Sequence, residues 1–259
     1  MKHLLNLILG KSNYTKLERF KKQLFPTAYD KQQELFLKEQ MEFYSQLVKP
    51  NDLCFDIGGN IGFKTNVFLR LQARVVTLEP QQDCVDLLKA RFGRKATILQ
   101  KGAGAVNEVK EFYVSSNPAL SSFTKGWVDE FKDSRFAGSS VQSIEKIEIV
   151  TLDSLIDTYG KPAFIKIDVE GFELEVLKGL SKSFGGLSFE YAVPEKKMNV
   201  VAALEYLQSK YSNLVCNFAI CDNNSFALEK WLPVDEMLVY VKSEYFNSTF
   251  AGDVYIKCL

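Results

Sequence analysis

Histidine is all but missing: among 259 residues the only one is His3. Every motif further along must therefore work without the commonest general base and the commonest nitrogen ligand for a metal. Cysteine is sparse as well. Cys54, Cys84, Cys216, Cys221 and Cys258 are scattered with no Cys-x-x-Cys pair. That argues against a zinc site and a disulfide framework, and suits the reducing cytoplasm. Neither sign of charge prevails, since 32 basic residues face 32 acidic ones; no electrostatic footprint for nucleic acid is left. No apolar run reaches the ~18–20 residues of a membrane span. There is no internal repeat and no low-complexity tract. The first ten residues carry a short apolar run broken by Asn6, without an Ala-x-Ala-like cleavage site, and are read as retained. What remains is ordinary globular composition, long enough for one α/β domain with an appendage.

The stretch that carries chemistry is Leu53-Cys54-Phe55-Asp56-Ile57-Gly58-Gly59-Asn60-Ile61-Gly62. It reads as a short buried strand running into an acid and a glycine-rich turn, and residues 63–71 have helical spacing. Strand, glycine turn and helix open a nucleotide-binding α/β unit. Gly58 and Gly62 let the backbone turn tightly against a ligand, and the helix start offers free N–H groups. The dinucleotide fingerprint wants glycine at its first, third and sixth positions. Counted from Gly58, the third is Asn60 and the sixth is Phe63. The pattern present is Asp-x-Gly-x-Asn-x-Gly, whose carboxylate repels a pyrophosphate but suits a cationic or hydroxyl-bearing ligand. S-adenosylmethionine, with an ammonium, a sulfonium and no phosphate, is preferred to NAD.

Arg74-Val75-Val76-Thr77-Leu78 reads as a second strand ending at Glu79-Pro80, with Glu79 twenty-one positions after Gly58. An acid at that tip is placed to accept hydrogen bonds from ribose hydroxyls of either nucleoside cofactor. The plainer alternative makes Asp56 and Glu79 ordinary loop carboxylates.

Residues 1–50 read as a helical prefix broken at Pro26, with Leu17, Phe20 and Leu24 on one face and Phe36, Phe43, Tyr44, Leu47 and Val48 on another. Its basic residues up to Lys22 suit an anionic membrane surface through residues 1–24, but capping of the core or of a homodimer partner is the preferred reading. Residues 51–243 alternate strand and helix as a doubly wound parallel sheet requires. Beyond the first two, strands are expected near 96–100, 110–114 on the sheet margin, 147–150 at an edge, 163–167, 186–191, 213–220 and 236–241. Helices are expected near 81–92, 154–159, 172–177 and 200–211. The turn at Gly102-Ala103 leaves room for a flat ring such as adenine, or is a simple flexible turn. Residues 115–143 are irregular yet hold Phe123, Trp127, Phe131 and Phe136, as a substrate lid or a small surface helix would. The tail, 244–259, suggests no role.

A second strand-to-acid junction is Ile165-Lys166-Ile167-Asp168-Val169-Glu170-Gly171. Asp168 and Glu170 alternate along an extended chain and project beyond a strand's carboxyl end, where ligands of such sheets lie. Glu170 has a second possible role as an acid at a helix start. Glu190 ends the next strand in the same way. With histidine remote, a proton acceptor in this chain has to be a carboxylate: Asp168 first, with Glu170 and Glu190 behind it. Their spacing does not demand a divalent metal, and none is expected.

Taken in order, Phe55-Asp56-Ile57-Gly58-Gly59-Asn60-Ile61-Gly62, Glu79-Pro80, Thr151-Leu152-Asp153-Ser154-Leu155 and Ile165-Lys166-Ile167-Asp168-Val169-Glu170-Gly171-Phe172-Glu173 resemble the FkbM family of S-adenosylmethionine-dependent methyltransferases, over residues 40–241. The resemblance implies the class I, Rossmann-like sheet of seven strands with the last antiparallel, and methylation of an oxygen. It assigns Asp56, Gly58, Gly59, Asn60, Gly62, Glu79, Pro80, Gly102 and Ala103 to the cofactor S-adenosyl-L-methionine, and puts Asp168 and Glu170 at the methyl-transfer end. Gly59 stands where that family often has alanine. The leading function is O-methylation of a hydroxyl on a sugar, glycan or secondary metabolite. An idle cofactor-binding interaction module and an NAD-dependent oxidoreductase are the rivals.

Overall fold

A computed structural model describes residues 27–117, 120–127, 138–193, 197–221 and 223–258. The expected helix face at Leu17, Phe20 and Leu24, the basic residues up to Lys22, and Phe131 and Phe136 lie outside them. The chain divides into two compact units, Met1–Glu42 and Phe43–Leu259. Helix α1 (Ala28–Tyr44) opens on a reciprocal cap. Asp30 N–H donates to Thr27 Oγ1 and Thr27 N–H donates to the Asp30 carboxylate, each at 3.1 Å, which satisfies two helix-start donors at once.

In the second unit β1 (Leu53–Ile57) leads into α2 (Phe63–Arg70), β2 (Arg74–Leu78) into α3 (Gln82–Phe92), and β3 (Ala96–Leu99) follows. After β4 (Gly102–Ala103), β5 (Glu108–Ser115) and β6 (Val141–Val150) come α4 (Leu152–Tyr159), β7 (Phe164–Ile167), α5 (Glu173–Lys178), β8 (Gly186–Ala192), α6 (Lys197–Lys210) and β9 (Leu214–Ile220). Last are β10 (Leu232–Pro233), α7 (Val234–Tyr240), α8 (Glu244–Asn247) and β11 (Ala251–Cys258). β1 and β7 are buried at every position; strands without alternation belong inside a parallel sheet covered on both faces. The main sheet runs β10-β9-β11-β8-β7-β1-β2-β3. Its strands β3, β2, β1, β7 and β8 are parallel, and β11 lies antiparallel between β8 and β9. This is the expected doubly wound sheet with one antiparallel strand, extended at its edge by the two-residue β10.

The strand order reverses between β1 and β7, which makes their carboxyl ends the switch point where ligands of such sheets bind. Apolar side chains of α4 to α8, among them Leu155, Val176, Leu204, Met237 and Phe246, bury one face of the sheet against Phe55, Ile165, Leu187 and Phe189. The other face carries a polar row. Thr77, Asp56, Lys166, Ser188, Tyr255 and Asn217 are cross-strand neighbours in register from β2 to β9, so their side chains share one face, and every one is buried.

Three expectations need correction. Residues 236–241 are not a strand but the end of α7 and its cap. Pro233 opens that helix, Asp235 and Glu236 sit in its first turn, and Val234, Met237 and Val241 bury at helical spacing. The tail is no appendage: β11 supplies the antiparallel strand, with Val254, Tyr255 and Ile256 buried. The strands at 110–114 and 147–150 do not edge the main sheet either. They belong to β5 and β6, which with β4 form a separate sheet ordered β4-β6-β5. Phe112, Ile147 and Ile149, joined by Phe123, give that sheet its own small core, and alternation alone cannot say which sheet a half-buried strand joins.

Candidate active site

The first functional turn is shaped by what it must avoid. Gly58 has φ +84°, and a Cβ there would stand 1.8 Å from the Asp168 carbonyl oxygen. Only glycine tolerates both the left-handed backbone and that approach. Gly58 and Gly59 N–H both donate to the Leu78 carbonyl at 2.9 Å, tying the turn to the end of β2. Asn60, at φ +45°, turns its N–H to Glu79 Oε2 at 2.7 Å, and Gln81 N–H donates to Glu79 Oε1 at 2.8 Å. Burial pushes the Glu79 carboxyl up, and the amides of Gln81 and Asn60 oppose it.

Across the carboxyl ends of β1 and β2 lies a cleft of about 580 Å³, counting the space on its open side, within the range of small-molecule sites. Ile57 and Leu78 line it below, and Ala103 lies with Phe112 and Phe123 on an apolar side. Of the residues expected to bind the cofactor, Gly58, Asn60, Glu79, Pro80, Gly102 and Ala103 line this cleft. Gly102 must be small because a Cβ would meet the Phe123 ring at 2.5 Å. Asp56 and Gly59 line an adjoining pocket instead. Gly62 lines neither; its place is packing, with a Cβ 2.4 Å from Leu88 of α3. Asp56 is 2% exposed and accepts the Thr65 hydroxyl at 2.5 Å. Burial raises its carboxyl, which Thr65 counters.

These residues fit S-adenosylmethionine. Among the described residues the cleft is lined by three acids, Glu79, Asp168 and Glu170, against one cation, Lys101, a balance that disfavours a pyrophosphate and suits a nucleoside on a cationic sulfur. Each Glu79 oxygen accepts a backbone amide, and a carboxylate's several lone-pair sites can also serve ribose hydroxyls. The apolar side at Ala103 and Phe112 suits a flat base.

One oxygen each of Asp168, Glu170 and Glu190 lies within 4.8 Å of the others, although the strand ends at Ile167 and Glu170 is not on an extended continuation of it. That separation suits a shared proton or a hard divalent cation. Burial drives the Glu170 carboxyl well above the usual range, Asp168 and Glu173 add to it, and Trp127 opposes. Glu190 rises for the same first reason, burial, followed by Asp168 and Glu170. The helix-start role open to Glu170 falls to Glu173, whose Oε1 accepts from Val169 N–H at 3.2 Å and Gly171 N–H at 3.1 Å. Glu170 itself sits at φ +54°, and residues 121–127 hold it. Ser122 donates to the Glu170 carbonyl at 2.7 Å, Thr124 to the Gly171 carbonyl at 3.2 Å, and the Trp127 ring fills the space beside Gly171. The described part of the expected lid is therefore anchored to the acidic turn.

Sequence reasoning passed over Lys166 and Asp253. Lys166 is 2% exposed, with Nζ 2.9 Å from Asp253 and 3.3 Å from Asp168. Burial works against its charge, yet Asp168 and Asp253 raise it well above the ordinary lysine value. A lysine inside an otherwise apolar parallel strand was the signal available. For Asp253 there was none, since β11 was not read as a strand.

Residues 56–195 match the methyltransferase FkbM domain. The hexuronic acid methyltransferase AglP of Haloferax volcanii is 27% identical over 140 residues, 54% of this chain and 54% of that protein. The chain thus spans about half the length of the curated relative it matches. Among solved structures, a TehB-like SAM-dependent methyltransferase from Corynebacterium glutamicum aligns at a TM-score of 0.46 and 8% identity, covering 96% of this chain and 97% of its own. The precorrin-6y C5,15-methyltransferase from Geobacter metallireducens aligns at 0.42 and 12%, covering 92% and 91%.

Proposed function

The chain belongs to the FkbM family of S-adenosylmethionine-dependent methyltransferases, and from that premise we propose that it methylates a hydroxyl oxygen of a sugar or glycan. The observation that carries the reading is the gathering of Asp168, Glu170 and Glu190 beside the nucleoside cleft. Transfer to a hydroxyl needs a proton acceptor at the attacking oxygen; transfer to a thioether or an activated carbon does not. Of the three, the Asp168 side chain is 39% exposed and within a ligand's reach. The sugar class is supported by the relative that acts on a hexuronic acid.

When bound, the cofactor supplies an electrophilic methyl group on a sulfonium. The chain's own residues do the rest. Glu79 and the Gly58–Asn60 turn hold the nucleoside. Asp168, which lines both the cleft and the adjoining pocket, orients the hydroxyl and accepts its proton. Glu170 and Glu190, raised by burial, hold protons beside it, and Phe112 and Phe123 line the cleft's apolar side.

The test is release of S-adenosylhomocysteine, with mass spectrometry of the acceptor, on methyl glucuronoside and methyl glucoside. Asp168→Asn is expected to cut turnover by about 100-fold or more while S-adenosylmethionine affinity changes by less than about threefold. Methylation at nitrogen or carbon, or a variant with full turnover, sinks the reading. Turnover unchanged by chelator would leave the proton to the carboxylates alone.

A further inference from the structure

Along β5, the edge strand of the small sheet, runs a groove of about 1140 Å³, its open side included. Residues 108–111 and Tyr113 of β5 line it, with Phe172, Leu174 and Glu175 from the start of α5. Phe123 lines both this groove and the nucleoside cleft. The acidic turn borders both as well, since Asp168 and Glu170 line the cleft and Gly171 lines the groove. We propose that the groove is a second acceptor subsite, holding the sugar joined to the one that is methylated, so that the substrate is an oligosaccharide or longer glycan. The inference rests on the proposed sugar methylation and deepens it.

The argument is one of reach and chemistry. A bound cofactor takes up the nucleoside cleft, so the rest of a long acceptor has to lie outside it, and the groove starts at the same turn. A neutral sugar ring offers hydroxyls around its edge and C–H groups on its faces. Its site wants an aromatic wall beside several donors and acceptors, without a surplus of one charge. The groove has that mixture. Lys110 and Lys125 face Glu108, Glu111 and Glu175, and Lys110 is bridged to Glu108 at 3.9 Å. Such a balance is no cationic seat for phosphate.

Tyr113 supplies the ring. It is half-buried in the groove wall, and its hydroxyl donates to the Glu111 carboxylate at 3.1 Å, which keeps ring and acid side by side. Phe172 is already covered, with Lys110 Nζ 5.6 Å and the Phe123 ring 5.5 Å from its centre. The backbone adds further partners for hydroxyls. Tyr113 exchanges both of its backbone bonds with Ser122, at 2.9 and 3.2 Å, so its N–H and C=O point away from β6. Val109 and Glu111 alternate in step with it and turn their peptide groups the same way.

Initial rates of methyl transfer test this. Methyl glucoside and methyl glucuronoside are compared with the same sugars carrying one further glucose, α- or β-linked, in place of the methyl aglycone. For the better disaccharide, wild type is expected to show kcat/KM about tenfold or more above its single sugar. Tyr113→Ala should lower that preference about fivefold, and Glu111→Ala, at an exposed position, about threefold. Tyr113→Phe, which keeps the ring, should retain most of it. Equal efficiency on single and double sugars in wild type would overturn the subsite and leave sugar methylation standing. A preference that survives both alanine variants would overturn it too, and so would equal losses on both acceptors, which make the two residues structural. Methyl transfer to none of these sugars would overturn the sugar reading, and this inference with it.

Discussion

Gly59 is a residue decided by space rather than by backbone. A Cβ on it would lie 2.2 Å from the Thr77 methyl, and the Thr77 hydroxyl is bonded to Thr65 Oγ1 at 2.9 Å, so Thr77 cannot turn away without losing that bond. Gly59→Ala is expected to cost about 1–3 kcal/mol by overpacking. Thr77→Ser, which drops the methyl and keeps the hydroxyl, should return most of that in a double-mutant cycle followed by denaturant unfolding. Glu173 is decided by burial. It is 7% exposed, and burial pushes its carboxyl up to about 7 from an ordinary 4.5. A carboxyl raised in the folded chain holds its proton more tightly there than in the unfolded chain. Its contribution is therefore full below about pH 4.5 and lost as pH rises through about 7. A rise of that size corresponds to roughly 3 kcal/mol. Glu173→Gln keeps the acceptor for the Val169 and Gly171 amides. Thermal melts from pH 4.5 to 7 should accordingly fall less steeply for the variant than for wild type.

Among the elements, β7 and β11 depend on one another through Lys166. The lysine leaves β7 into a buried layer, and the better of its two carboxylate contacts comes from β11. Tyr255 of the same strand meets Tyr44 hydroxyl to hydroxyl at 3.2 Å, continuing the polar layer beneath α2. Removing one partner of a buried pair leaves an uncompensated charge, which costs more than removing both. Asp253→Asn is expected to lose roughly 3 kcal/mol; adding Lys166→Met should recover part of it, read from urea midpoints. Elements of local origin were legible in the sequence. The strand, glycine turn and helix at 53–71, the acid at Glu79 and the acidic turn at 168–171 announce themselves through neighbours in the chain. α7 was misread because its few apolar residues fit a short strand as well as a helix, although Pro233 and the acids after it mark a helix start.

For the whole molecule, legibility ended where partners are distant in sequence. The alternation in β6 marks a strand but does not reveal that it pairs with β4 and β5 away from the main sheet. Asp168 and Glu190 were placed at strand ends correctly; that their oxygens meet depends on β7 and β8 being neighbours, which topology decides. Residues 251–258 gave no reading because an eight-residue run of mixed polarity at a tail carries no local mark of being central. Yet β11 comes after both strands it separates. A sheet of this order cannot grow outward one strand at a time. β8 and β9 must each wait with an open edge until residues 251–258 slot between them, and open edges are templates for pairing with other chains. The interval in which aggregation competes with folding is thus governed by one strand, and shortening that interval means hastening its arrival.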